Sequence, residues 1–331
     1  MGHGIRTQLT IQPRHWRLKE PFVIARGTRT VANSIVVQLE AGGHTGRGEA
    51  AGVSYRGETQ ESMTAQIEQV REAIESGTSR HDLLKLLPPG GARNAVDAAL
   101  WDIQAKQTGI RAWVRAGVPG GGPVQSAVTI GIRTPEAFET TTRALADHPW
   151  LKIKVDRNDP IAAVAAVRRG APHARLIVDA NQSWTLEDLA RFAPTLLEYG
   201  VDLLEQPLAA GQDESLSKGS SPIPVCADES VNTIEDLPRL AGRYDFINIK
   251  LDKCGGLTAA LELALTARRS GFRLMSGCMV GASLAMAPAM VLAQLCEIND
   301  LDGAFLLAED WPDGIVYERG NMQPPWPAFW G

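Results

Sequence analysis

Five short apolar runs between residues 151 and 256 each end in charged side chains. In chain order these are Lys152 with Lys154, Asp179, Glu205, Asp228 and Lys250. Runs of this kind, rich in Val, Ile and Leu and each followed by a helical pattern, predict buried parallel strands that alternate with helices. An unpaired ion at the end of a strand buried on both faces costs several kcal/mol. The five charged ends therefore indicate a functional site.

Three of these residues, Asp179, Glu205 and Asp228, are carboxylates on successive predicted strands and should lie side by side around one rim. Carboxylates this close repel one another, and they stay ionised at neutral pH when a cation lies among them. Oxygen-only ligands favour a hard ion, and an octahedral position left open for water or substrate favours Mg²⁺. The sequence thus predicts one Mg²⁺ held by these three side chains.

Two lysines flank the carboxylates, Lys154 one strand before them and Lys250 one strand after them. This order predicts two ammonium groups on opposite sides of the site. A nearby metal and a partly dry pocket lower a lysine pKa, so that neutral amine becomes available as a general base. A substrate carboxylate on the metal, with a base on each face of its α-carbon, suits the movement of an α-proton. The metal would stabilise the extra charge of the resulting enediolate.

The elements that must position these side chains follow from the spacing. The strand ends recur at roughly 22 to 26 residues, which matches one βα unit of a barrel of parallel strands. Upstream, alternating apolar and polar residues over 5–16 and 34–40 predict half-exposed antiparallel strands, with a hairpin turn at 41–44. Residues 61–108 have a helical pattern, which breaks at 88–91, and the Gly/Pro-rich run 118–123 predicts a domain boundary. The last strand is expected near 304–307.

Composition fits an ordinary enzyme and excludes several other classes. The 331 residues carry a formal net charge of −5, with 44% hydrophobic and 21% charged residues, enough for a barrel and a smaller partner domain. Dispersed Lys and Arg give no nucleic-acid footprint, and no apolar run is long enough for a membrane span. The start lacks a signal-peptide core, so the cytoplasm is the expected location. Four cysteines show no paired metal spacing, and disulfides are not expected.

The motifs around the charged ends resemble those of the enolase superfamily, in its muconate-lactonizing subgroup. They are Lys-x-Lys at 152–154, Asp-Ala-Asn at 179–181, Glu-Gln-Pro at 205–207, Ala-Asp-Glu-Ser at 227–230 and Ile-Lys-Leu-Asp-Lys-x-Gly-Gly at 249–256. Three further stretches, at 21–27, 277–279 and 299–303, resemble the dipeptide epimerases, particularly the L-Ala-D/L-Glu epimerases. The resemblance covers nearly the whole chain.

This resemblance implies an α/β fold, a modified (β/α)₇β TIM-type barrel with an α+β N-terminal capping domain. The capping domain would span 1–120 and be completed by the tail 312–331, with the barrel at 121–311. It implies a Mg²⁺-dependent epimerase in which Lys154 and Lys250 exchange the α-proton of the C-terminal residue of a dipeptide, while Lys152 steadies the enediolate oxygen. The implied substrate is of the L-Ala-D/L-Glu type, with a place in peptidoglycan peptide metabolism. Homo-oligomer formation is left open.

Substrate recognition is assigned through the same resemblance, in which loops at 22–30 and 53–58 close over the barrel mouth. Arg26 alone would be an ordinary solvated arginine. Asp300 and Asp302 would otherwise cap a turn, but paired carboxylates at a barrel mouth also suit a substrate ammonium group. The implied substrate-binding residues are Arg26, Thr129, Lys152, Met279, Asp300 and Asp302.

The charged residues also have ordinary structural explanations. An Asp or Glu after a strand often caps the next helix, but matching positions on three successive strands argue against capping here. Lys152 and Lys154 would be unexceptional on an exposed edge strand, yet the apolar residues around them argue against an edge. Lys250 would otherwise cap the rim beside Asp252. Lys253 is expected to be a surface residue.

Other functions fit parts of the pattern. N-acylamino acid racemases, o-succinylbenzoate synthases and cycloisomerases of the same subgroup need no anchor for a free ammonium, so Asp300 and Asp302 argue against them. A mandelate-racemase-type enzyme needs a histidine late in the barrel, whereas the last histidine is His173. A non-catalytic binding barrel would keep the fold and lose the chemistry. Many dipeptide epimerases carry an acidic residue where this chain has Gly281, which leaves the side-chain preference open.

Overall fold

The computed structural model describes residues 7–24 and 27–331. Its strands are β1 (Gln8–Ile24), β2 (Gly27–Ala41), β3 (His44–Ala50), β4 (Val124–Gln125), β5 (Val128–Ile130), β6 (Trp150–Lys154), β7 (Arg175–Asp179), β8 (Val201–Glu205), β9 (Val225–Ala227), β10 (Phe246–Lys250), β11 (Arg273–Gly277), β12 (Ile298–Asp300), β13 (Tyr317–Glu318) and β14 (Asn321–Met322). Its helices are α1 (Gln60–Gln69), α2 (Arg71–Glu75), α3 (Arg80–Leu86), α4 (Gly91–Thr108), α5 (Ala112–Arg115), α6 (Pro135–Ala144), α7 (Pro160–Gly170), α8 (Leu186–Glu198), α9 (Leu237–Leu240), α10 (Leu251–Cys254), α11 (Leu257–Arg269) and α12 (Ser283–Ala293).

The N-terminal part is an antiparallel sheet covered by helices. The sheet has the order β1-β2-β3, and Ala41 pairs with His44 across the predicted hairpin turn. Helix α4 begins at Gly91, the last residue of the predicted break, and packs on β3. A Cβ at Gly46 or Gly48 would lie 2.3 or 2.2 Å from an α4 backbone oxygen. Glycine at these two positions is therefore required for the close approach of helix and sheet.

The second part is an eight-stranded parallel barrel. Its order is β5 to β12 in sequence, and the amide of Ala127 donates to the carbonyl of Asn299 across the closure, at 2.8 Å. Sequence-adjacent parallel strands joined by helices confirm the predicted barrel with its α+β cap. The predicted last strand at 304–307 is wrong, because β12 is Ile298–Asp300. The apolar run at 304–307 instead packs towards the N-terminal sheet, where Leu307 bridges Leu18.

Capping residues explain where several barrel helices begin. The side chains of Thr134, Asp159 and Thr185 each accept a hydrogen bond from a backbone amide three residues later. Proline occupies the first turn of α6 and α7, where its missing amide hydrogen leaves no bond unmade. Each helix therefore starts within a few residues of the preceding strand end, which keeps the loops above the barrel short.

An apolar layer closes the barrel below its mouth. It takes one residue from each strand or from the position just before it: Ala127, Trp150, Ile177, Leu203, Cys226, Phe246, Met275 and Ile298. All eight are buried. Side chains one level higher on the same strands consequently stand on a dry floor.

The C-terminal tail returns to the N-terminal part of the chain. Trp330 donates its indole N–H to the carbonyl of Ala98 at 3.2 Å, and the amide of Gly331 donates to Asp102 at 2.8 Å. These contacts agree with a tail that completes the cap, while the domain boundaries remain a prediction. Over residues 7–24 and 27–331, no helix combines the length and the apolarity needed to cross a bilayer.

Candidate active site

Strand register brings the predicted residues to one level of the barrel. Lys154 is aligned with Asp179, and Asp179 with Glu205, across β6, β7 and β8. On the other side, Lys250 is aligned with Gly277. The strands β6 and β10 are separated by three strands in either direction around the barrel. Lys154 and Lys250 therefore face each other from opposite walls, as the sequence predicted.

The three predicted metal ligands are buried and are paired with lysines. Asp179 and Glu205 have no exposed surface, and Asp228 is 3% exposed. Lys152 lies at the centre, with its Nζ atom 3.0 Å from Asp179 Oδ2 and 2.7 Å from Glu205 Oε2. Lys154 contacts Asp179 Oδ2 at 2.5 Å. The lysines and carboxylates that the sequence predicted thus form one contiguous cluster.

Lys250 and Lys253 hold the third carboxylate from two sides. Lys250 Nζ lies 2.7 Å from Asp228 Oδ2, and Lys253 Nζ lies 2.5 Å from Asp228 Oδ1. The expectation that Lys253 is a surface residue is wrong, since it is 1% exposed. It is the third residue of α10, which begins directly after Lys250, the last residue of β10. This short turn brings Lys253 back to the strand ends, a feature that sequence reasoning missed.

The charged groups of the cluster strongly shift one another's pKa values. Burial opposes the charged form of Lys152, but Asp300, Glu205 and Asp179 outweigh it and raise the pKa of Lys152 well above its usual value. Burial likewise opposes the charged form of Lys250, yet Asp228 raises the pKa of Lys250. In each case the ammonium contacts a carboxylate at hydrogen-bond distance. The lowered lysine pKa expected from the sequence applies to a site in which a metal ion lies beside the lysines.

The pKa values of the three carboxylates shift in different directions. For Glu205, burial and the adjacent Asp179 raise the pKa. The pKa of Asp179 and that of Asp228 are lowered, because attraction to their lysine partners outweighs burial. Glu205 is therefore the carboxyl of the trio on which burial and repulsion outweigh the attraction of Lys152.

The trio fits a hard cation by its donor chemistry. Three buried carboxylates from neighbouring strands supply only oxygen, which suits Mg²⁺. Glu205 Oε2 is buried and has no aligned hydrogen-bond donor, although Lys152 Nζ lies nearby. In the described part of the chain, however, no group of three His, Cys, Asp or Glu side chains is placed to hold a metal ion. Lys152 Nζ contacts both Asp179 Oδ2 and Glu205 Oε2 there. The metal ligands remain a prediction.

Thr129, Asp300 and Asp302 form a second buried group at the mouth. Thr129 donates its backbone N–H to Asp302 Oδ2 at 2.5 Å and its hydroxyl to Asp300 Oδ1 at 3.0 Å. Asp300 Oδ2 lies 2.8 Å from Lys152 Nζ, which joins this group to the carboxylate trio. Burial, and then the charge of Asp300, raise the pKa of Asp302. An ammonium group of a ligand would relieve that repulsion.

A small cavity links the cluster to the cap. It has a volume of about 90 Å³, and its lining includes Lys154, Asp228 and Lys250 together with Tyr55 of the cap. Cys278 and Met279 form part of its wall, as predicted. A larger cleft of about 600 Å³ adjoins it. The two spaces share Phe22, Arg29, Ser54, Met279 and Val280. Arg26 lies outside the described residues.

Asn248 was missed by sequence reasoning. Its side-chain N–H donates to Glu205 Oε1 at 3.0 Å, and its backbone carbonyl accepts a hydrogen bond from Lys253 at 3.1 Å. It lies two residues before Lys250 within the apolar strand β10, and side chains two apart on a strand point to the same face. A polar residue at that position of a buried strand was the available signal.

Comparison with known families identifies the chain. The mandelate racemase / muconate lactonizing enzyme N-terminal domain matches residues 6–113, and the enolase C-terminal domain-like family matches residues 137–325. Together these matches span most of the chain. The chain therefore belongs to the mandelate racemase / muconate lactonizing enzyme family of the enolase superfamily, which confirms the predicted membership.

Individual relatives narrow this class to epimerases and racemases. The chain is 42% identical to the L-Ala-D/L-Glu epimerase of Escherichia coli (strain K12), over 93% of this chain and 96% of that protein. It is 46% identical to an N-acetyl-D-glutamate racemase of Pseudoalteromonas sp, over 76% of this chain and 79% of the relative.

Solved structures agree with this grouping. An enolase family member from Agrobacterium tumefaciens with homology to dipeptide epimerases is 43% identical, with a TM-score of 0.95 over 98% of this chain and 100% of its own. That structure holds sodium and L-Ala-L-Glu. Three further dipeptide epimerase structures, at 25 to 28% identity, hold Mg with a dipeptide.

Proposed function

We propose that this chain is a Mg²⁺-dependent dipeptide epimerase of the L-Ala-D/L-Glu type, which inverts the α-carbon of the C-terminal residue. The observation that carries the proposal is the placement of Lys154 and Lys250 on opposite walls of one cavity. Two bases that face each other across a substrate can remove a proton on one face and return a proton on the other. That arrangement is what inversion requires.

In the forward direction, one lysine in its neutral form, which a cation among the carboxylates would favour, removes the α-proton and becomes an ammonium. The opposite lysine, as an ammonium, donates a proton to the other face of the α-carbon. Lys152 donates a hydrogen bond to the oxygen that gains charge in the enediolate, and its own burial keeps water from competing for that bond. The reverse reaction exchanges the roles of Lys154 and Lys250.

Asp179, Glu205 and Asp228 would hold the Mg²⁺. When bound, the metal supplies electrophilic stabilisation of the negative charge that develops on the substrate carboxylate. The three residues come from the ends of β7 and β8 and from the loop after β9, so short strand-end segments of the barrel fix their spacing.

Substrate charge supports the choice of a dipeptide. A free dipeptide carries an α-ammonium, and Asp300 and Asp302 are both buried at the mouth with Thr129 between them. Arg26 is proposed to pair with the acidic side chain of the C-terminal residue. A cytoplasmic location and a role in the metabolism of peptidoglycan peptides complete the proposal.

N-acetyl-glutamate racemisation is the second candidate. The relative with that activity is 46% identical to this chain, although over a shorter span than the L-Ala-D/L-Glu epimerase. Both reactions use an α-proton next to a carboxylate, and both substrates carry the glutamate side chain. In both substrates the glutamate nitrogen is an amide, but the alanyl group of the dipeptide carries a free ammonium that the acetyl group lacks. Asp300 and Asp302 favour the ammonium.

One experiment tests both candidates. The protein is incubated with Mg²⁺ in D₂O with L-Ala-L-Glu, L-Ala-L-Leu and N-acetyl-L-glutamate in parallel, and mass spectrometry follows uptake of a single deuterium. The proposal predicts fastest exchange with L-Ala-L-Glu, and chiral separation should show its epimer. Faster exchange with N-acetyl-L-glutamate would favour racemisation, and no exchange with any of the three would refute an α-proton enzyme of this substrate class.

A further inference from the structure

Each of the three carboxylates has one oxygen held by a donor of the barrel framework. The framework contacts are Asp179 Oδ1 with the amide of Asn181 at 2.8 Å, Glu205 Oε1 with Asn248 Nδ2 at 3.0 Å, and Asp228 Oδ1 with Lys253 Nζ at 2.5 Å. The second oxygen of each carboxylate is turned towards a lysine of the reaction centre: Asp179 Oδ2 to Lys154, Glu205 Oε2 to Lys152 and Asp228 Oδ2 to Lys250. The site thus presents one oxygen per carboxylate.

Lys253 is the charged member of this framework. Its ammonium donates to Asp228 Oδ1, to the Asp228 carbonyl at 2.5 Å and to the Asn248 carbonyl at 3.1 Å. Because a lysine ammonium has three N–H groups and each of them has an acceptor here, none is left without a partner. Lys253 is also absent from the residues that line the small cavity, unlike Lys250. Since it does not line the cavity and contacts Asp228, it is a positioning residue.

Asp228 is fixed through its backbone as well. Its amide donates to Gln206 Oε1 at 2.8 Å, and Gln206 follows Glu205 directly. Gln206 has a positive φ of 36°, which a non-glycine residue adopts at a cost. Gln206 and Lys253 together hold the backbone and one carboxylate oxygen of Asp228. Rotation of this carboxylate would break a charge-assisted hydrogen bond.

We infer that Lys253 sets the ion selectivity of the site by restricting Asp228 to a single coordinating oxygen. This inference rests on the metal site of the proposed function and deepens it. Mg²⁺ requires near-octahedral coordination by six oxygens, whereas Ca²⁺ takes six to eight and readily accepts a carboxylate through both oxygens. A carboxylate whose second oxygen is occupied by an ammonium suits the smaller ion. Without Lys253, Asp228 Oδ1 becomes available as a second ligand to a larger ion such as Ca²⁺.

The ratio of two affinities is the informative measurement. Loss of the Lys253 charge makes the site more negative, which strengthens attraction for every divalent cation alike. Loss of the geometric restriction favours Ca²⁺ over Mg²⁺. The dissociation constants of both ions are therefore measured by isothermal titration calorimetry on wild type, Lys253→Met and Lys253→Gln, with no substrate present.

We expect Lys253→Met to shift the Mg²⁺ to Ca²⁺ affinity ratio towards Ca²⁺ by about tenfold or more, which corresponds to loss of a hydrogen bond to a charged group. Lys253→Gln keeps donors without the charge and should shift the ratio less. The matched control is Lys106→Met, because Lys106 also donates to one carboxylate, Asp102 at 2.8 Å, and to one carbonyl, that of Thr45 at 3.1 Å. Its ratio should equal that of wild type.

Two results would overturn the inference in distinguishable ways. If the wild type binds Mg²⁺ and folded Lys253→Met has an unchanged ratio, then Lys253 does not set selectivity, and the proposed function stands. If the wild type binds neither ion, then the metal assignment itself fails, and the inference falls with it. Circular dichroism establishes folding, and if Lys253→Met does not fold, the ratio for Lys253→Gln decides.

Discussion

Replacement of each lysine of the reaction centre by alanine tests the two-base arrangement most directly. Lys154 and Lys250 stand on opposite walls, so each should serve one face of the α-carbon. Lys154→Ala should strongly slow exchange of the α-proton of one C-terminal enantiomer and retain exchange of the other. Lys250→Ala should do the reverse. Epimerisation should be lost in both variants, because inversion requires both faces.

The structure also indicates that both variants will fold. Without Lys154, Asp179 Oδ2 keeps a contact with Lys152 at 3.0 Å. Without Lys250, Asp228 keeps its contact with Lys253 at 2.5 Å. No carboxylate is left without a cation, so the penalty for an unpaired buried charge does not arise. The expected loss is therefore that of a general base, about 10² to 10⁴-fold for the affected face.

The assay follows deuterium uptake in D₂O by mass spectrometry, separately for L-Ala-L-Glu and L-Ala-D-Glu. Lys106→Ala serves as the control, since it removes a Lys–Asp pair of 2.8 Å on the cap rather than at the site. It should exchange both substrates at the wild-type rate. Equal partial losses for both enantiomers in both active-site variants would contradict the assignment of one base to each face.

Three further outcomes are expected. Chelation with EDTA should abolish exchange of the α-proton, and Mg²⁺ should restore it; full activity in excess EDTA would contradict a metal role. Asp179→Asn should lower the exchange rate by orders of magnitude even at saturating Mg²⁺. Asp302→Asn should lower kcat/KM for every free dipeptide and leave kcat/KM for N-acetyl-glutamate unchanged. Arg26→Ala should lower kcat/KM by about 10²-fold or more for dipeptides that end in an acidic residue, and much less for those that end in a neutral one. That is the effect expected when a buried charge loses its partner. Burial raises the pKa of Asp97 from 3.8 to about 6, so this group stabilises the fold most at low pH, and its contribution falls by about 3 kcal/mol as pH rises through that interval. Urea unfolding from pH 4 to 7 should therefore show a loss of stability that is smaller by about 3 kcal/mol in Asp97→Asn than in wild type; an equal loss in both would contradict this assignment.

Much of the site could be predicted because its residues contrast with their surroundings. Lys154, Asp179 and Glu205 each end an apolar strand, and charge at such a position is conspicuous in a sequence. Parallel strands joined by helices then bring these ends to one rim without further information. The same logic explains the cap, whose hairpin and helix break coincide with glycine-rich turns.

Pairings between those residues were beyond the reach of sequence patterns. Lys152 was assigned to the enediolate oxygen, yet its ammonium also contacts Asp179, Glu205 and Asp300. Such contacts depend on side-chain rotamers and on distances across the barrel, neither of which leaves a periodic signal. The carboxylate contacts that raise the pKa of Lys152 and of Lys250 could not be foreseen for the same reason. Burial of these lysines could be foreseen from the apolar strands.

The buried ion cluster is better explained by chemistry than by stability. Breaking a buried ion pair costs about 3 to 5 kcal/mol, but replacing the whole pair by apolar side chains of similar volume is often neutral or stabilising. This barrel already packs its interior in that way one level lower, where eight apolar side chains form the floor. At the mouth the same strands carry lysines and carboxylates instead. Stability alone would favour more of the apolar packing, so the charges are best explained by the proposed chemistry at that level: binding a cation, holding a carboxylate and moving a proton.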